Sequence, residues 1–307
     1  LNSGTISGGT FNGRVVNSSM ITNGTFNGEV VNDGGKISGG TFNGVVTSYT
    51  TITEGVISGV TVTYQVNGAH YVTQIVPSGS TAIKPVDPTN SAGKEFLGWF
   101  KADGTEYDFT RTVTENITLT AKFAVVTRKV ETEQELVDAL ADSTVDIIKL
   151  GSDVAINATL NVNRAVTLDL VGYMLEMKGN GSVITIKDGG HLTLVDSDLT
   201  PTYYFTPDAN GLWKWGTSGT KTVNGGVIYG GTGSSIGTSV CGGGVYVEGG
   251  GTFTMSGGNI VGCTATGNDA YGGGVFVSKN GTFTMTGGRI VGCTAVADQY
   301  GQAYGGG

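Results

Sequence analysis

The densest group of side chains able to bind a ligand is aromatic and lies within residues 199–220. Its members are Tyr203, Tyr204, Phe205, Trp213 and Trp215. Two aromatic runs on either side of a Pro-Asp-Ala-Asn-Gly turn predict a hairpin that projects from the rest of the fold. Exposed rings there would stack on sugars or anchor a protein partner. The alternative is a hairpin that folds back and fills a gap in the core.

Two carboxylates, Asp269 and Asp298, fall at nearly equivalent positions of two successive repeats. Stacked repeats would bring them together, and paired carboxylates supply the hard oxygen ligands that suit Ca²⁺. Such a pair could also act as a glycosidase dyad, and Asp is a common residue of solvated turns. Ca²⁺ is the one ion for which the sequence suggests a site, and no cofactor is predicted.

The remaining reactive side chains predict no catalytic group. Arg289 is the one candidate lyase base in the last repeats, but it aligns with Asn259 and so favours an ordinary surface position. His70 and His191 lie in different parts of the chain, which argues against a shared metal site or triad.

The three cysteines, Cys241, Cys263 and Cys293, lack the Cys-x-x-Cys spacing of zinc and redox sites. Cys263 and Cys293 are one repeat apart, so stacking would place them within disulfide range. Cysteine is also a common small buried residue, and we favour free buried thiols.

Composition excludes several classes of protein. Glycine accounts for 54 of 307 residues and proline for only 5, without the Gly-X-Y triplet of collagen. The formal net charge of −8 would repel phosphate backbones, so nucleic acid is not a predicted partner. No apolar run reaches the ~18 residues needed to span a bilayer, and we predict no membrane insertion within this chain.

Most of the glycine lies in two sets of repeats. Three units of 15 or 16 residues occupy 5–19, 20–35 and 36–50, and a degenerate fourth begins in 51–60. Their alternating apolar residues predict short stacked strands, with Phe11, Phe26 and Phe42 in an internal ladder.

The second set has a period of 30 residues and occupies 242–271 and 272–304, after a weaker copy at 225–231. Each unit contains three short apolar runs, which predicts three strands per coil of a parallel β-helix. Phe253 would then lie over Phe283.

The chain between the repeat sets differs in composition. Residues 61–124 gain aromatic and charged residues and predict a small independent module. Residues 132–141 are the one convincing helix, with Thr132 and Glu135 at capping-box spacing. A helix before the first coil is expected to cap the open end of a solenoid core.

Residues 61–124 resemble the Listeria–Bacteroides repeat, or internalin B-repeat. The resemblance rests on VTYQVNG (62–68), VPSGSTAIKPVDPT (76–89), EFLGWF (95–100), YDF (107–109) and VTENITLTAKF (113–123). It implies a β-grasp-like fold and a spacer or adhesion module of bacterial surface proteins, with no catalytic residue to transfer.

Residues 125–307 are similar to the pectate-lyase-like superfamily of right-handed β-helices, especially its adhesin-like surface members. The matching features are the capping helix, VTLDLVGYML (166–175), GGHLTLVDS (189–197) and the GGGVYV…GTFTMSGG…I coils. That superfamily contains lyases, hydrolases and inert stalks, so the resemblance implies a fold and not an activity.

The sequence therefore predicts a mostly β protein in three parts: a Gly-rich β-solenoid (1–60), a β-grasp-like module (61–124) and a helix-capped right-handed parallel β-helix (125–307). We expect a non-enzymatic, secreted or wall-attached bacterial surface protein, adhesin-like or a stalk, whose partner is a host or environmental glycan or surface protein. Alternatives are a fragment of a carbohydrate-active enzyme and a passive spacer. Both ends cut through repeats, so we expect the natural protein to continue beyond residue 307.

Overall fold

A computed structural model describes residues 1–50, 57–89 and 92–307. The chain is mostly β and divides into two compact units, Leu1–Ala124 and Val125–Gly307. No helix in the described part of the chain is long and apolar enough to cross a bilayer.

The first three repeats stack as parallel strands, as predicted. One sheet holds the first strands of each repeat: β1 (Thr5–Phe11), β3 (Met20–Phe26), β5 (Lys36–Ile37) and β6 (Thr41–Phe42). The second strands are β2 (Val15–Asn17), β4 (Val30–Asn32) and β7 (Val46–Ser48). The phenylalanine ladder is confirmed, because the rings of Phe11, Phe26 and Phe42 stack at 4.9 and 4.8 Å between centroids. Most of the degenerate fourth repeat, 51–56, lies outside the described residues.

A second ladder in these repeats is made of buried amides. The Nδ2 of Asn2 donates to Asn17 Oδ1 at 2.7 Å, and the Nδ2 of Asn17 donates to Asn32 Oδ1 at 2.8 Å. Asn32 continues the ladder to Ser48 Oγ at 3.1 Å. Each coil therefore satisfies the buried polar group of the next, which fixes the register.

The module that follows is a four-strand continuation of the second-strand sheet. Its strands are β8 (Val60–Val66), β9 (Ala69–Val76), β10 (Phe96–Phe100) and β11 (Ile117–Phe123). The order β10-β11-β8-β9-β7-β4-β2 makes one seven-stranded sheet. Tyr64 and Trp99 are fully buried and meet edge to face at 4.9 Å. The module and the repeats thus share a sheet inside the first unit.

The second unit begins with the predicted cap. Helix α1 (Glu133–Ala141) buries Leu136, Ala139 and Leu140 against the first coils. The Oγ1 of Thr132 accepts from the Glu135 amide at 3.3 Å. The carboxylate of Glu135 reaches one residue further than a capping box requires and accepts from the Glu131 amide at 2.7 Å.

Three parallel faces enclose the core of this β-helix. The six-stranded face comprises β12 (Thr127–Val130), β13 (Ile147–Leu150), β16 (Ala165–Asp169), β19 (His191–Val195), β27 (Thr252–Met255) and β32 (Thr282–Met285). The five-stranded face comprises β14 (Val154–Ile156), β17 (Met174–Met177), β23 (Val227–Tyr229), β28 (Asn259–Val261) and β33 (Arg289–Val291). A four-stranded face comprises β15 (Leu160–Val162), β18 (Ile184–Ile186), β26 (Val245–Val247) and β31 (Val275–Val277).

Identical residues stack from coil to coil, as predicted. Phe253 and Phe283 lie in register with their ring centroids 5.0 Å apart. The last three coils also carry strands that the apolar runs did not predict, after the strand of the five-stranded face. These are β24 (Ser234–Ile236), β25 (Ser239–Cys241), β29 (Thr264–Gly267), β30 (Asp269–Tyr271), β34 (Thr294–Ala297) and β35 (Ala303–Tyr304).

Candidate binding site

The aromatic segment is a three-stranded antiparallel sheet between two coils. Its strands are β20 (Thr202–Pro207), β21 (Trp213–Gly216) and β22 (Lys221–Asn224), in the order β21-β20-β22. The β20–β21 turn is held by Asp208, whose Oδ1 accepts from the amides of Asn210 and Leu212 at 2.9 and 3.0 Å. The structure thus has the expected hairpin and adds a third strand. We call this sheet the insertion.

One face of the insertion packs on the five-stranded face. Phe205 is fully buried, and Val223 beside it is almost so. They form an apolar cluster with Met174, Val227 and Val261. The phenol of Tyr203 donates to Asp153 Oδ1 at 2.9 Å and to the Gly172 carbonyl at 3.1 Å. Tyr203 and Phe205 therefore hold the insertion to the coils.

Trp213 docks where two coils leave room for it. Its backbone amide donates to the Gly292 carbonyl at 3.0 Å. Gly262 and Gly292 both adopt left-handed backbone, with φ of 61° and 60°, and a methyl group on Gly292 would overlap the Trp213 ring. These glycines serve both the turn and the close approach of the insertion.

Two aromatic residues of the insertion remain exposed. Tyr204 keeps 41% of its surface accessible, and Trp215 keeps 44% accessible. On the central strand, Tyr204 has Gly216 and Thr222 as its cross-strand neighbours. Small neighbours leave the ring surface open. The five residues predicted as one site thus divide into a docked set and an exposed pair.

A groove of about 500 Å³ lies beside the insertion, against the turns between the six- and five-stranded faces. Its lining residues are Asp196, Leu199, Thr222, Asn224, Ser256, Gly257, Gly258, Asn259, Gly288 and Arg289. Thr222 ties the groove to the insertion, because it is also the cross-strand neighbour of Tyr204. We call this space, with Tyr204 at its margin, the insertion groove.

Asn259 is the most constrained polar group of the groove. It is only 5% exposed, and its Nδ2 donates to the carbonyls of Asn224 and Gly226 at 3.0 and 2.9 Å. Its Oδ1 accepts no hydrogen bond from any residue that the structure describes. The amide is therefore held rigidly with an acceptor left over.

Asp196 supplies the acidic wall. Its two oxygens accept from the amides of Gly172 and Gly226 at 2.7 and 2.6 Å. Burial raises the pKa of Asp196 above its ordinary value, although these two hydrogen bonds act in the opposite direction. Each oxygen keeps acceptor capacity toward the groove.

Arg289 supplies the basic wall. Strand pairing places it in register with Asn259 on the preceding coil. Its side chain is exposed and has neither an ion pair nor a hydrogen bond with the described part of the chain. The sequence favoured an ordinary surface position for Arg289, whereas the structure places it at a groove. Its place at the groove could not be predicted from sequence, because Asp196 and the insertion meet it only through folding.

Asp269 and Asp298 lie close in the register of the two coils but are not paired with each other, since Gly267 pairs with Ala297 and Ala270 with Ala303. Asp269 lies beside Gln302, whose amide donates to Asp269 Oδ1 at 2.9 Å, while the amide of Asp298 donates to the Gly267 carbonyl at 2.9 Å. The three extra residues of the last repeat lie between these two registers, so the aspartates occupy different positions. In the described ranges no group of three His, Cys, Asp or Glu residues could hold a metal. The Ca²⁺ site stays a prediction, and it is not supported by a stacked pair of Asp269 and Asp298.

The histidines and cysteines discussed above are not among the residues that line the insertion groove. His70 Nε2 contacts Thr73 Oγ1 at 2.9 Å, and His191 lies on β19. Cys263 and Cys293 are free thiols on successive coils, and burial raises the pKa of Cys263.

Comparison with known proteins bears on the first unit. Residues 61–122 match the family model of the Listeria-Bacteroides repeat domain. This module is a Listeria-Bacteroides repeat. It indicates a surface-associated bacterial protein, and the match covers about a fifth of the chain. No curated protein and no solved structure matches the chain, so the β-helix of residues 125–307 is defined by its fold alone.

Proposed function

We propose that this chain is a non-enzymatic, adhesin-like protein of the bacterial cell surface that binds glycans in the insertion groove. The Listeria-Bacteroides repeat supports a surface location. Stacked coils support a scaffold role, because a solenoid extends by repetition and exposes long faces. We place the protein outside the cell, attached to the wall.

The observation that carries the proposal is the convergence of complementary polar groups in one concave space. Asp196 and Asn259 offer acceptors, Arg289 offers donors, and the open ring of Tyr204 lies beside Thr222. Concave sites with a few fixed polar groups and an aromatic wall suit small, hydroxyl-rich ligands.

A glycan array probed with the labelled full chain tests the proposal, with a panel of host matrix proteins in parallel. The variant Tyr204→Ala should lose at least about threefold in affinity for the glycan selected by the array, since a stacked ring contributes about 1 kcal/mol. Tyr300→Ala, which removes a ring that is 92% exposed on the last coil, is the matched control and should bind as the wild type does. Binding to proteins alone, or equal loss in both variants, would contradict the proposal.

One observation favours the second candidate, a carbohydrate-active enzyme. The raised pKa of Asp196 is what a general acid on a glycosidic oxygen needs. Two-carboxylate hydrolysis needs a partner acid, and Asp196 is the one acidic residue among those that line the groove. Release of reducing ends from the selected glycan, abolished by Asp196→Asn, would establish the enzyme and reject the non-enzymatic proposal.

A further inference from the structure

The insertion groove contains charges of both signs in equal number. Its lining has one carboxylate, Asp196, and one guanidinium, Arg289. The protein as a whole carries a formal net charge of −8. An approaching polyanion would therefore meet a repulsive field and a site without excess positive charge.

The hydrogen-bonding groups of the groove are complementary to a ligand that both donates and accepts hydrogen bonds. Asp196 and the Oδ1 of Asn259 can only accept, because the Asn259 N–H groups are already used by backbone carbonyls. Arg289 can only donate. A hydroxyl group satisfies both kinds of wall, whereas a carboxylate or sulfate would satisfy Arg289 and leave Asp196 facing a like charge.

The groove also has a direction. Asp196 follows β19, Ser256–Asn259 follow β27, and Gly288–Arg289 follow β32, so the lining crosses three successive coils. Neighbouring strands lie about 4.8 Å apart, which gives a span of about 10 Å along the solenoid axis. Gly257, Gly258 and Gly288 also belong to this lining.

We propose that the insertion groove selects a neutral saccharide whose chain lies along the solenoid axis, with its hydroxyls bridging Arg289 to Asp196 and Asn259. This inference rests on the proposed function and names the ligand class of the same site. Thr222 covers the side of the ligand that faces the insertion, and Tyr204 is its cross-strand neighbour at the margin of the groove.

Titration calorimetry on the full chain tests this class. The probes are neutral oligosaccharides of glucose and galactose, and uronic-acid oligosaccharides of the same length. The neutral probes should bind, and their Kd should change less than about twofold between roughly 50 and 500 mM NaCl, because no net ion pair forms. Arg289→Gln should weaken binding about tenfold.

Matched variants distinguish a loss of binding in the insertion groove from a general effect of the substitution on charge or folding. Lys279→Gln removes another exposed cation of the same coil and should leave Kd unchanged. Thr222→Ala should weaken binding about threefold, whereas Thr118→Ala, at an exposed strand position of the first unit, should not. Circular dichroism of each variant checks that the β structure is intact.

The outcomes distinguish the two proposals. Preferential binding of the uronic-acid probes, with affinity that falls as salt rises, would overturn the neutral class and leave a glycan-binding groove in place. Neutral binding that Arg289→Gln and Thr222→Ala leave unchanged would overturn the groove as the site. Binding of no saccharide in either class would overturn the proposed function as well.

Discussion

The backbone of Trp213 is hydrogen-bonded to that of Gly292, 79 positions later in the sequence. The Trp213 amide donates to the Gly292 carbonyl at 3.0 Å, and the indole covers the glycine so closely that a methyl group would overlap it. The insertion and the last coils are therefore packed as one body.

Replacement of Gly292 by alanine should loosen the insertion. The new methyl group would meet the Trp213 ring at a left-handed φ of 60°, and we expect a loss of about 2–3 kcal/mol in the free energy of unfolding of the second unit. Urea denaturation followed by tryptophan fluorescence measures it. Gly211→Ala is the matched control, because Gly211 has a φ of 84° with open space around it. Equal losses in the two variants would show that backbone strain alone is involved.

The phenol of Tyr203 should stabilise the docked insertion in a pH-dependent way. Burial and the hydrogen bond to Asp153 raise the pKa of Tyr203 in the folded chain. Its contribution is complete below the unfolded pKa of about 10 and falls as pH rises further toward the folded value. Tyr203→Phe should cost about 1–2 kcal/mol near neutral pH.

Urea denaturation at pH values of about 8 and 11 measures both effects. The wild type should lose more of its unfolding free energy between the two pH values than Tyr203→Phe does. Parallel loss in both proteins would mean that the Tyr203 hydroxyl does not couple to folding.

The buried amide ladder of Asn2, Asn17 and Asn32 should contribute more to the free energy of unfolding than the exposed ladder of Asn12, Asn27 and Asn43 does. Asn17→Ala removes a donor and an acceptor, so Asn2 Nδ2 and Asn32 Oδ1 each lose one hydrogen bond in the interior, and we expect a loss of about 2–4 kcal/mol. Asn27 makes matching bonds of 2.7 Å to Asn12 and Asn43 on the surface, and Asn27→Ala should cost less than about 1 kcal/mol. Thermal denaturation of the two variants compares the ladders, and a larger loss for Asn27→Ala would contradict their assignment.

Cys263 should be unreactive in the native chain. It is fully buried and its raised pKa keeps the thiol protonated. Alkylation by iodoacetamide at neutral pH, followed by peptide mass analysis, should label Cys263 only after denaturation. Rapid native labelling of Cys263, or a peptide that links it to Cys293, would contradict the free buried thiol.

The coil register was predictable because each repeat copies the last. Thr252–Met255 and Val245–Val247 were identified as strands from alternating apolar residues, and Phe253 lies over Phe283 as that periodicity requires. The register changes after Asp298, where three extra residues shift the pairing so that Ala270 lies opposite Ala303. β22 was missed because Lys221–Asn224 contains one apolar residue, Val223, whose burial depends on the five-stranded face.

The candidate site was predictable only in part. The aromatic cluster located the insertion, yet strand alternation could not predict which rings contact the coils. In the structure Phe205 is buried and the adjacent Tyr204 is exposed. Asp196, Asn259 and Arg289 come from three coils, and only the fold brings them to one groove. The one sequence signal at this place is the pair of glycines that precedes both Asn259 and Arg289.

A crystal structure of the chain soaked with the neutral saccharide of highest affinity tests the central claim most directly. The account predicts ligand density in the insertion groove, within hydrogen-bond distance of Arg289 and Asn259 and against Tyr204. Ligand bound at another face of the β-helix, with this groove empty at saturating saccharide, would contradict it.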